Sequence, residues 1–432
     1  MEHLWERMEL ASATALPRAE VLHALTCPRC REWLVGHLLD EEAGEETQED
    51  VYAAAFARLE EESNAAVEAA AKRRMEAEGL LGELVRLPQE GQKALLKRKR
   101  FRNLDLLDLL VEHSHSLQLA SPAKAQSLAE LASRLAAILG EREPDAAALL
   151  PRAFCLGANA LRLQQDLLGA EAQLAKAAPF LACAGERAFY CRTAALVRWE
   201  EGRTEEAMAL LEHALRAYQL QGPQEAVEVC VGLKGLLLFE ENQIPQALQP
   251  LNRAWRRMDR EQGPPLALRI GMALAISLAL AQQGDRARRV QQEAWKLYST
   301  GEAREMVRVY GLEGRLLGLL GQLEEAEHVL GSVRQKLLEE PSVGEAALAA
   351  LDLAMVLAER GRSEDIVRLS EELERSVPQI APMDLAIGAL MNFASRVRDG
   401  ETLPWEHAGA SAVALRRSFR AVGLRLRPLP FA

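Results

Sequence analysis

The 432-residue sequence is poor in aromatic residues, in cysteine and in long apolar runs. Aromatic residues make up 5% of the chain although hydrophobic residues reach 49%, so its cores must consist of aliphatic and small side chains. Six cysteines are too few to hold a chain of this length together by disulfide bonds. Alanine, leucine, glutamate and arginine recur instead, and this usage favours helices. The composition predicts an all-α protein.

Basic residues are outnumbered by acidic ones, 52 to 63. A formal net charge of -11 and a pI near 5.5 argue against a general nucleic-acid binder, because such a protein needs a basic surface to neutralise phosphates. Two segments are exceptions: residues 93–102 carry six positive residues and no acid, and the last 26 residues carry five arginines and no acid. We interpret each as a solvated surface or as a basic segment docked on acidic neighbours.

Neither a targeting segment nor a membrane span is predicted. The first ten residues (MEHLWERMEL) are charged and lack an apolar centre. The most apolar run, residues 270–281, is shorter than the roughly 20 residues that a bilayer requires. We therefore expect a cytoplasmic protein.

A short pattern recurs six times between residues 144 and 398. A glycine or asparagine ends a helix-length apolar segment, and a charged pair and a second amphipathic segment follow; these residues are Gly169, Gly202, Asn242, Gly284, Gly321 and Gly361. Glycine can adopt the left-handed conformation that stops a helix, and a small residue five positions later lets the next helix pack closely. The pattern predicts a solenoid of stacked helix pairs.

Two copies of the pattern depart from it, and a third contains prolines. Arg289 and Ile366 stand where a small residue is expected, and Pro245 and Pro250 fall in the third copy. These copies are predicted to stack less regularly than the others.

The copies G202-R-T-E-E-A207 and G321-Q-L-E-E-A326 resemble tetratricopeptide repeats, and the resemblance extends over residues 144–398. It implies a right-handed α-solenoid of about six repeats. Such a solenoid presents a concave surface that can hold a peptide or a partner helix, so it binds proteins without catalysing a reaction.

Near the amino terminus, H23-A-L-T-C-P-R-C30 has the spacing of a metal site. A CxxC turn places two thiolates close enough to share one Zn²⁺ ion, which takes four ligands at about 2.0–2.3 Å. Pro28 suits the first turn of a helix, where the helix dipole favours the thiolate form of Cys27 and Cys30. We therefore predict that His23, Cys27 and Cys30 bind zinc.

The fourth zinc ligand is assigned to His3. His37 would be about 10 Å further along a continuous helix, whereas a turn at Pro17 allows His3 to fold back. A thiol switch within the zinc site, a redox CxxC pair and two coincidental buried cysteines stay open as alternatives. The other four cysteines, which fall singly in apolar helical patterns, are expected to be packing residues; they are Cys155, Cys183, Cys191 and Cys230.

The motif H23-x3-C27-x2-C30 with an upstream histidine resembles the zinc-binding anti-sigma factor domain, over residues 1–78. The resemblance implies a small helical bundle that binds one zinc ion, followed by a helix that embraces a sigma factor. It is also similar to a bacterial family that joins such a zinc motif to tetratricopeptide repeats.

Five segments follow from these patterns. Residues 1–40 form the zinc-binding segment, 41–78 an acidic linker and an amphipathic helix, 79–143 a lead-in helical layer, 144–398 the solenoid and 399–432 a basic tail. No phosphate-binding loop, HExxH motif or GxSxG elbow is present, so we expect a non-enzyme.

The favoured function is a cytoplasmic regulatory adaptor, whose solenoid binds one protein and whose zinc domain binds a sigma-like factor or senses zinc or redox state. A structural scaffold in which zinc is only a staple is the alternative. A more remote hypothesis is an accessory subunit that meets nucleic acid through residues 93–102. Solenoid recognition depends on scattered surface residues, so no residue of the concave face is assigned.

Overall fold

The computed structural model describes residues 48–141, 143–260, 264–297, 303–339, 342–376 and 381–422, together with residue 426. These residues form helices and connecting turns with no strand among them, which confirms the predicted all-α class for this part of the chain. The backbone separates into two compact units, Met1–Gly79 and Leu80–Ala432. Of the first unit the structure describes residues 48–79, which lie in helix α1 (Gln48–Val85).

The second unit begins with a lead-in layer. Its elements are α2 (Gln89–Leu96), a 3₁₀ turn (Lys99–Phe101), α3 (Leu104–Ser116) and α4 (Pro122–Leu139). Asn103 caps α3 by accepting a hydrogen bond from the Leu106 backbone N–H at 3.1 Å. Helix α4 starts with a proline in its first turn and is capped at its carboxy terminus by Gly140.

Six helix pairs follow, and they confirm the predicted solenoid of stacked helix pairs. Their bounds are α5 (Pro144–Leu163) and α6 (Leu167–Ala177), α7 (Ala184–Glu200) and α8 (Thr204–Gln221), α9 (Gln224–Glu240) and α10 (Ile244–Arg257), α11 (Pro264–Leu280) and α12 (Gly284–Trp295), α13 (Ala303–Leu319) and α14 (Leu323–Glu339), and α15 (Val343–Glu359) and α16 (Ser363–Ser376). Two further helices, α17 (Ala381–Arg398) and α18 (Glu406–Ala421), end the described chain.

The turn between the two helices of a pair has one conformation throughout. A residue with positive φ ends the first helix at Gln165, Gly202, Asn242, Gln282, Gly321, Gly361 and Gly400. The next N–H bonds back to the carbonyl five residues earlier, as from Arg203 to Arg198 at 2.9 Å, which closes the helix end in a Schellman motif. Successive turns are 37, 40, 40, 39, 40 and 39 residues apart.

This register corrects two of the predicted turn positions. Gly169 lies inside α6 and Gly284 begins α12, whereas the left-handed residues there are Gln165 and Gln282. Glutamine is uncommon at positive φ, so the nearest glycine was predicted to occupy the turn instead. The repeat is therefore more regular than the sequence spacing indicated.

The small residue expected five positions after each turn is present in five of the six pairs. It is fully buried in each case, as Ala170, Ala207, Ala247, Ala287 and Ala326. In the fourth pair the small residue is Ala287, so the prediction that Arg289 replaces it was wrong. In the sixth pair Ile366 does replace the small residue, and it is also fully buried. Pro245 lies in the first turn of α10, and Pro250 lies within α10 without ending it.

Of the four cysteines that were expected to be packing residues, Cys183 is exposed and does not pack in a core. Cys155 and Cys230 are buried and Cys191 is partly buried, whereas Cys183 precedes α7. Its sulfur accepts a hydrogen bond from the Glu186 backbone N–H at 3.4 Å, so Cys183 caps the helix. Among the described helices, none is both long enough and apolar enough to cross a bilayer.

Candidate binding site: the inner channel

The first helices of five successive pairs face a common cavity of about 140 Å³. Each of α7, α9, α11, α13 and α15 contributes side chains to it, together with α14 and α18, so the first helices form most of the inner face of the solenoid. We call this space the inner channel. Its lining residues include Trp199, Glu200, Phe239, Glu240, Arg269, Arg308, Leu348, Asp352, Arg416 and Arg420.

Ion pairs between neighbouring first helices surround the channel. Arg269 on α11 pairs with Glu240 on α9, and Arg308 on α13 donates its Nε–H to Glu345 Oε1 on α15 at 3.0 Å. Arg315 Nε lies 3.8 Å from Asp352 Oδ1. Because each pair joins two repeats, these side chains fix the spacing of the first helices as well as the charge of the channel.

A buried polar chain connects the lead-in layer to the channel. Gln118 donates to the Leu156 carbonyl at 3.1 Å, Asn159 donates to Gln118 Oε1 at 3.2 Å, and Arg162 Nε donates to Asn159 Oδ1 at 2.8 Å. The fully buried Arg162 guanidinium also pairs with Glu200, which lines the channel. Each donor in this chain meets an acceptor, as a buried polar network requires.

Two carboxylates of the channel, Glu200 and Glu240, have pKa values shifted in opposite directions. Burial raises the pKa of Glu200, and the nearby Arg162 offsets only part of that rise. Burial acts in the same direction on Glu240, but Arg269, Arg416, Arg308 and Arg420 together outweigh it and lower its pKa to about 2. Glu240 is therefore a fixed negative charge among arginines at neutral pH.

The carboxy-terminal helix α18 forms one wall of the channel. Arg416 donates to the Glu240 carbonyl at 2.9 Å, and Arg417 forms an ion pair with Glu241 at 2.6 Å. The guanidinium of Arg420 lies 4.7 Å from the centre of the Trp199 ring. For residues 416–420, the structure shows the basic carboxy-terminal segment docked on acidic neighbours. This was one of the two interpretations of its arginines.

Two of the six cations of the second basic segment, residues 93–102, form local ion pairs. Lys93 pairs with Glu90 at 2.6 Å, Arg100 pairs with Glu83, and Arg102 donates to the Lys97 carbonyl at 3.1 Å. Its other cations are exposed, as expected of a solvated surface.

A second cavity lies on α12, α13 and α14, where the Trp295 and Tyr310 rings are 5.5 Å apart. It is an open surface depression. Its central carboxylate, Glu313, already accepts a hydrogen bond from Trp295 Nε1 at 2.9 Å. The inner channel, which unites five repeats, is the stronger candidate site.

The predicted zinc ligands His3, His23, Cys27 and Cys30 lie outside the described residues, so the zinc site stays a prediction. Within the residues that are described, no group of three or more His, Cys, Asp or Glu side chains is arranged to hold a metal ion.

The channel residues themselves were not assigned from the sequence. The available signal was a charged residue inside an apolar first helix, such as Arg269 beside the run 270–281 or Glu240 at the end of α9. The stacking of repeats about 40 residues apart decides which of these charged residues come together, and the sequence alone does not show it.

The fold is similar to that of solved Rap proteins, which are helical TPR-like repeat proteins. A Rap protein complexed with Competence and Sporulation Factor has a TM-score of 0.52 and 13% sequence identity, over 68% of this chain and 85% of that chain. A Rap conjugation gene regulator of a plasmid, in complex with the Phr* peptide, has a TM-score of 0.40 and 12% identity, over 69% of this chain and 98% of that chain. No family model and no curated protein matches the sequence. The first of these similarities shows the fold alone.

Proposed function

We propose that this protein is a non-enzymatic regulatory adaptor that binds a peptide or a protein segment in the inner channel. The observation that carries the proposal is the convergence of charged and aromatic side chains from five repeats on one cavity. A solenoid binds by its inner face, because there the side chains of successive repeats reach the same ligand. A Rap protein of similar fold was solved in complex with a factor, which supports partner binding by a solenoid of this kind.

The chemistry of the channel supports binding rather than catalysis. Its carboxylates Glu200, Glu240, Glu345 and Asp352 each pair with an arginine of a neighbouring helix. These pairs hold the repeats in register and offer a patterned surface to a partner. The cytoplasmic location expected from the sequence belongs to the same proposal.

A bulky side chain in the channel tests the proposal. Leu348 lines the cavity, so L348W is expected to fill it and to abolish recovery of the partner when the tagged protein is purified from its native host. L220W is the matched control, because Leu220 is 83% exposed on α8. The purified proteins are identified by mass spectrometry, and circular dichroism checks that both variants fold.

The outcomes separate the hypotheses. A protein that is recovered with the wild type and with L220W but lost with L348W supports channel binding. Equal recovery with L348W would show that the partner binds outside the inner channel. The channel proposal would then be wrong.

We further propose that His3, His23, Cys27 and Cys30 hold one Zn²⁺ ion. The support is the donor set, since two thiolates and two imidazoles suit tetrahedral zinc. The purified protein is expected to contain about one zinc per chain by atomic emission, and a C27S/C30S variant is expected to contain almost none. Zinc content unchanged in that variant would exclude this ligand set. H37A is the matched control and should retain the metal.

A further inference from the structure

Helix α18 does not take the place of a second helix in a seventh repeat. The turn at Gly400 has the same positive φ as the turns before it, but the residue five positions later is Trp405 instead of a small residue. Trp405 packs beside Gly318 and Val356, and its Nε1–H donates to Glu359 at 2.5 Å. Since a tryptophan excludes the close packing of an ordinary pair, α18 is directed towards the channel.

The contacts of α18 span the solenoid. Asn242, in the turn after α9, donates to the Glu406 carbonyl at 3.4 Å, and the Arg416 and Arg417 contacts join residues 176 positions apart in the chain. A Cβ atom added to Gly202, in the turn after α7, would lie 3.2 Å from Arg420 Cδ, so this turn is close to the Arg420 side chain. The helix therefore lies along the inner face, in contact with the ends of α7 and α9.

Helix α18 has two distinct faces. Residues 408, 412, 415 and 419, which follow helical spacing, are buried in the core of the last repeats. Arg416 and Arg420, one turn apart, face the channel. The helix is thus an amphipathic segment with an apolar stripe and an arginine stripe.

The receiving surface favours cations for two reasons. Glu240 is held ionised, and Glu241 pairs with Arg417. In addition, α7 and α9 both end here, and the carbonyl groups at a helix carboxy terminus carry partial negative charge, as the bond from Arg416 to the Glu240 carbonyl illustrates. Trp199 adds an aromatic face for a guanidinium.

The docking of α18 leaves polar groups incompletely satisfied. Within the described part of the chain, Arg420 Nη1 and His407 Nδ1 are buried and have no hydrogen-bond partner. Burial also lowers the pKa of Arg420, which shows that its charge is held in a poorly solvated position. A cavity of about 140 Å³ persists beside the helix. A ligand that satisfied these groups better would compete with α18.

From these contacts we propose that the inner channel recognises an amphipathic helix with arginines one turn apart, and that α18 is an intramolecular copy of this ligand that the partner displaces. This inference rests on the proposed function and specifies the chemistry of the partner. It also gives α18 an autoinhibitory role, since an occupied channel must be vacated before the partner binds.

The test uses the full-length protein and a fluorescent peptide with the sequence of residues 403–422. In the variant F419E/R420E, α18 loses an apolar anchor and a channel contact, so we expect the peptide to bind at least tenfold more tightly than to the wild type by fluorescence anisotropy. A matched peptide with R416E and R420E retains the apolar stripe and should bind at least tenfold more weakly than the unmodified peptide.

Hydrogen exchange on the wild type provides a second measurement that does not depend on the folding of a variant. Excess peptide should speed amide exchange in α18 and leave exchange in α9 unchanged. Exchange in α18 that does not respond to excess peptide overturns the inference, as does a folded F419E/R420E protein that fails to bind the peptide. Equal binding of the two peptides would refute recognition of arginine.

Failure of this inference leaves the proposed function separately testable. If L348W abolishes recovery of the partner while the α18 peptide neither binds nor affects α18, the channel binds a ligand of another class. If L348W has no effect and the peptide still binds, α18 has an exchangeable site but the partner uses another surface.

Discussion

The variant R162M is expected to lower the free energy of unfolding by about 3–5 kcal/mol, the usual cost of removing one partner of a buried ion pair. The Arg162 side chain is fully buried, and it connects Asn159 to Glu200. Methionine retains much of the apolar stem, so the loss measures the missing guanidinium. Urea denaturation followed by circular dichroism gives the change.

Two controls define this expectation. R203M removes an exposed arginine that pairs with Glu206 at 2.6 Å, and it should cost less than about 1 kcal/mol. The double variant R162M/E200Q should recover part of the loss, because it no longer buries an unpaired carboxylate. A cost for R162M as small as that for R203M would mean that the polar chain does not stabilise the solenoid.

The variant W199A is expected to destabilise the solenoid by a similar amount, about 3–5 kcal/mol, because it leaves a large cavity. Trp199 is 2% exposed and belongs to the main core cluster, and it also contacts Arg420. The same variant should speed amide exchange in α18, since the guanidinium loses its aromatic partner. Thermal or urea unfolding measures the first effect, and hydrogen exchange measures the second.

W199F and W295A serve as matched variants. Phenylalanine retains much of the buried ring, and Trp295 is only partly buried, so both changes should cost less than W199A. Unchanged exchange in α18 with W199A would show that the Arg420 contact does not hold the helix.

The repeat could be predicted because its signal is local. A residue that ends one helix, an early acidic residue and a small residue at a fixed distance depend only on neighbouring positions, as in the copies that begin at Gly202 and Gly321. The prediction was wrong in register at Gly169 and Gly284 because glutamine takes positive φ in those turns. The neighbouring glycines lie inside helices or at their start, where the sequence gives no sign of a different register.

The candidate site could not be predicted in the same way. Glu240 and Arg416 are 176 residues apart, and Arg162 meets Glu200 across 38 residues. Each is an ordinary charged residue at its own position, and the sequence contains 115 Lys, Arg, Asp and Glu residues. Only the curvature of the stacked repeats selects the few that converge.

The sequence by itself determined the helical class, the helix-pair repeat and the basic character of the carboxy-terminal segment, because composition and short spacings control helix formation and local turns. The tertiary structure decided that the basic segment folds as α18, that its arginines face the channel and that the acid–arginine pairs join successive first helices. These features depend on the stacking of successive repeats of about 40 residues. Stacking brings charged residues that are far apart in the sequence within hydrogen-bonding distance.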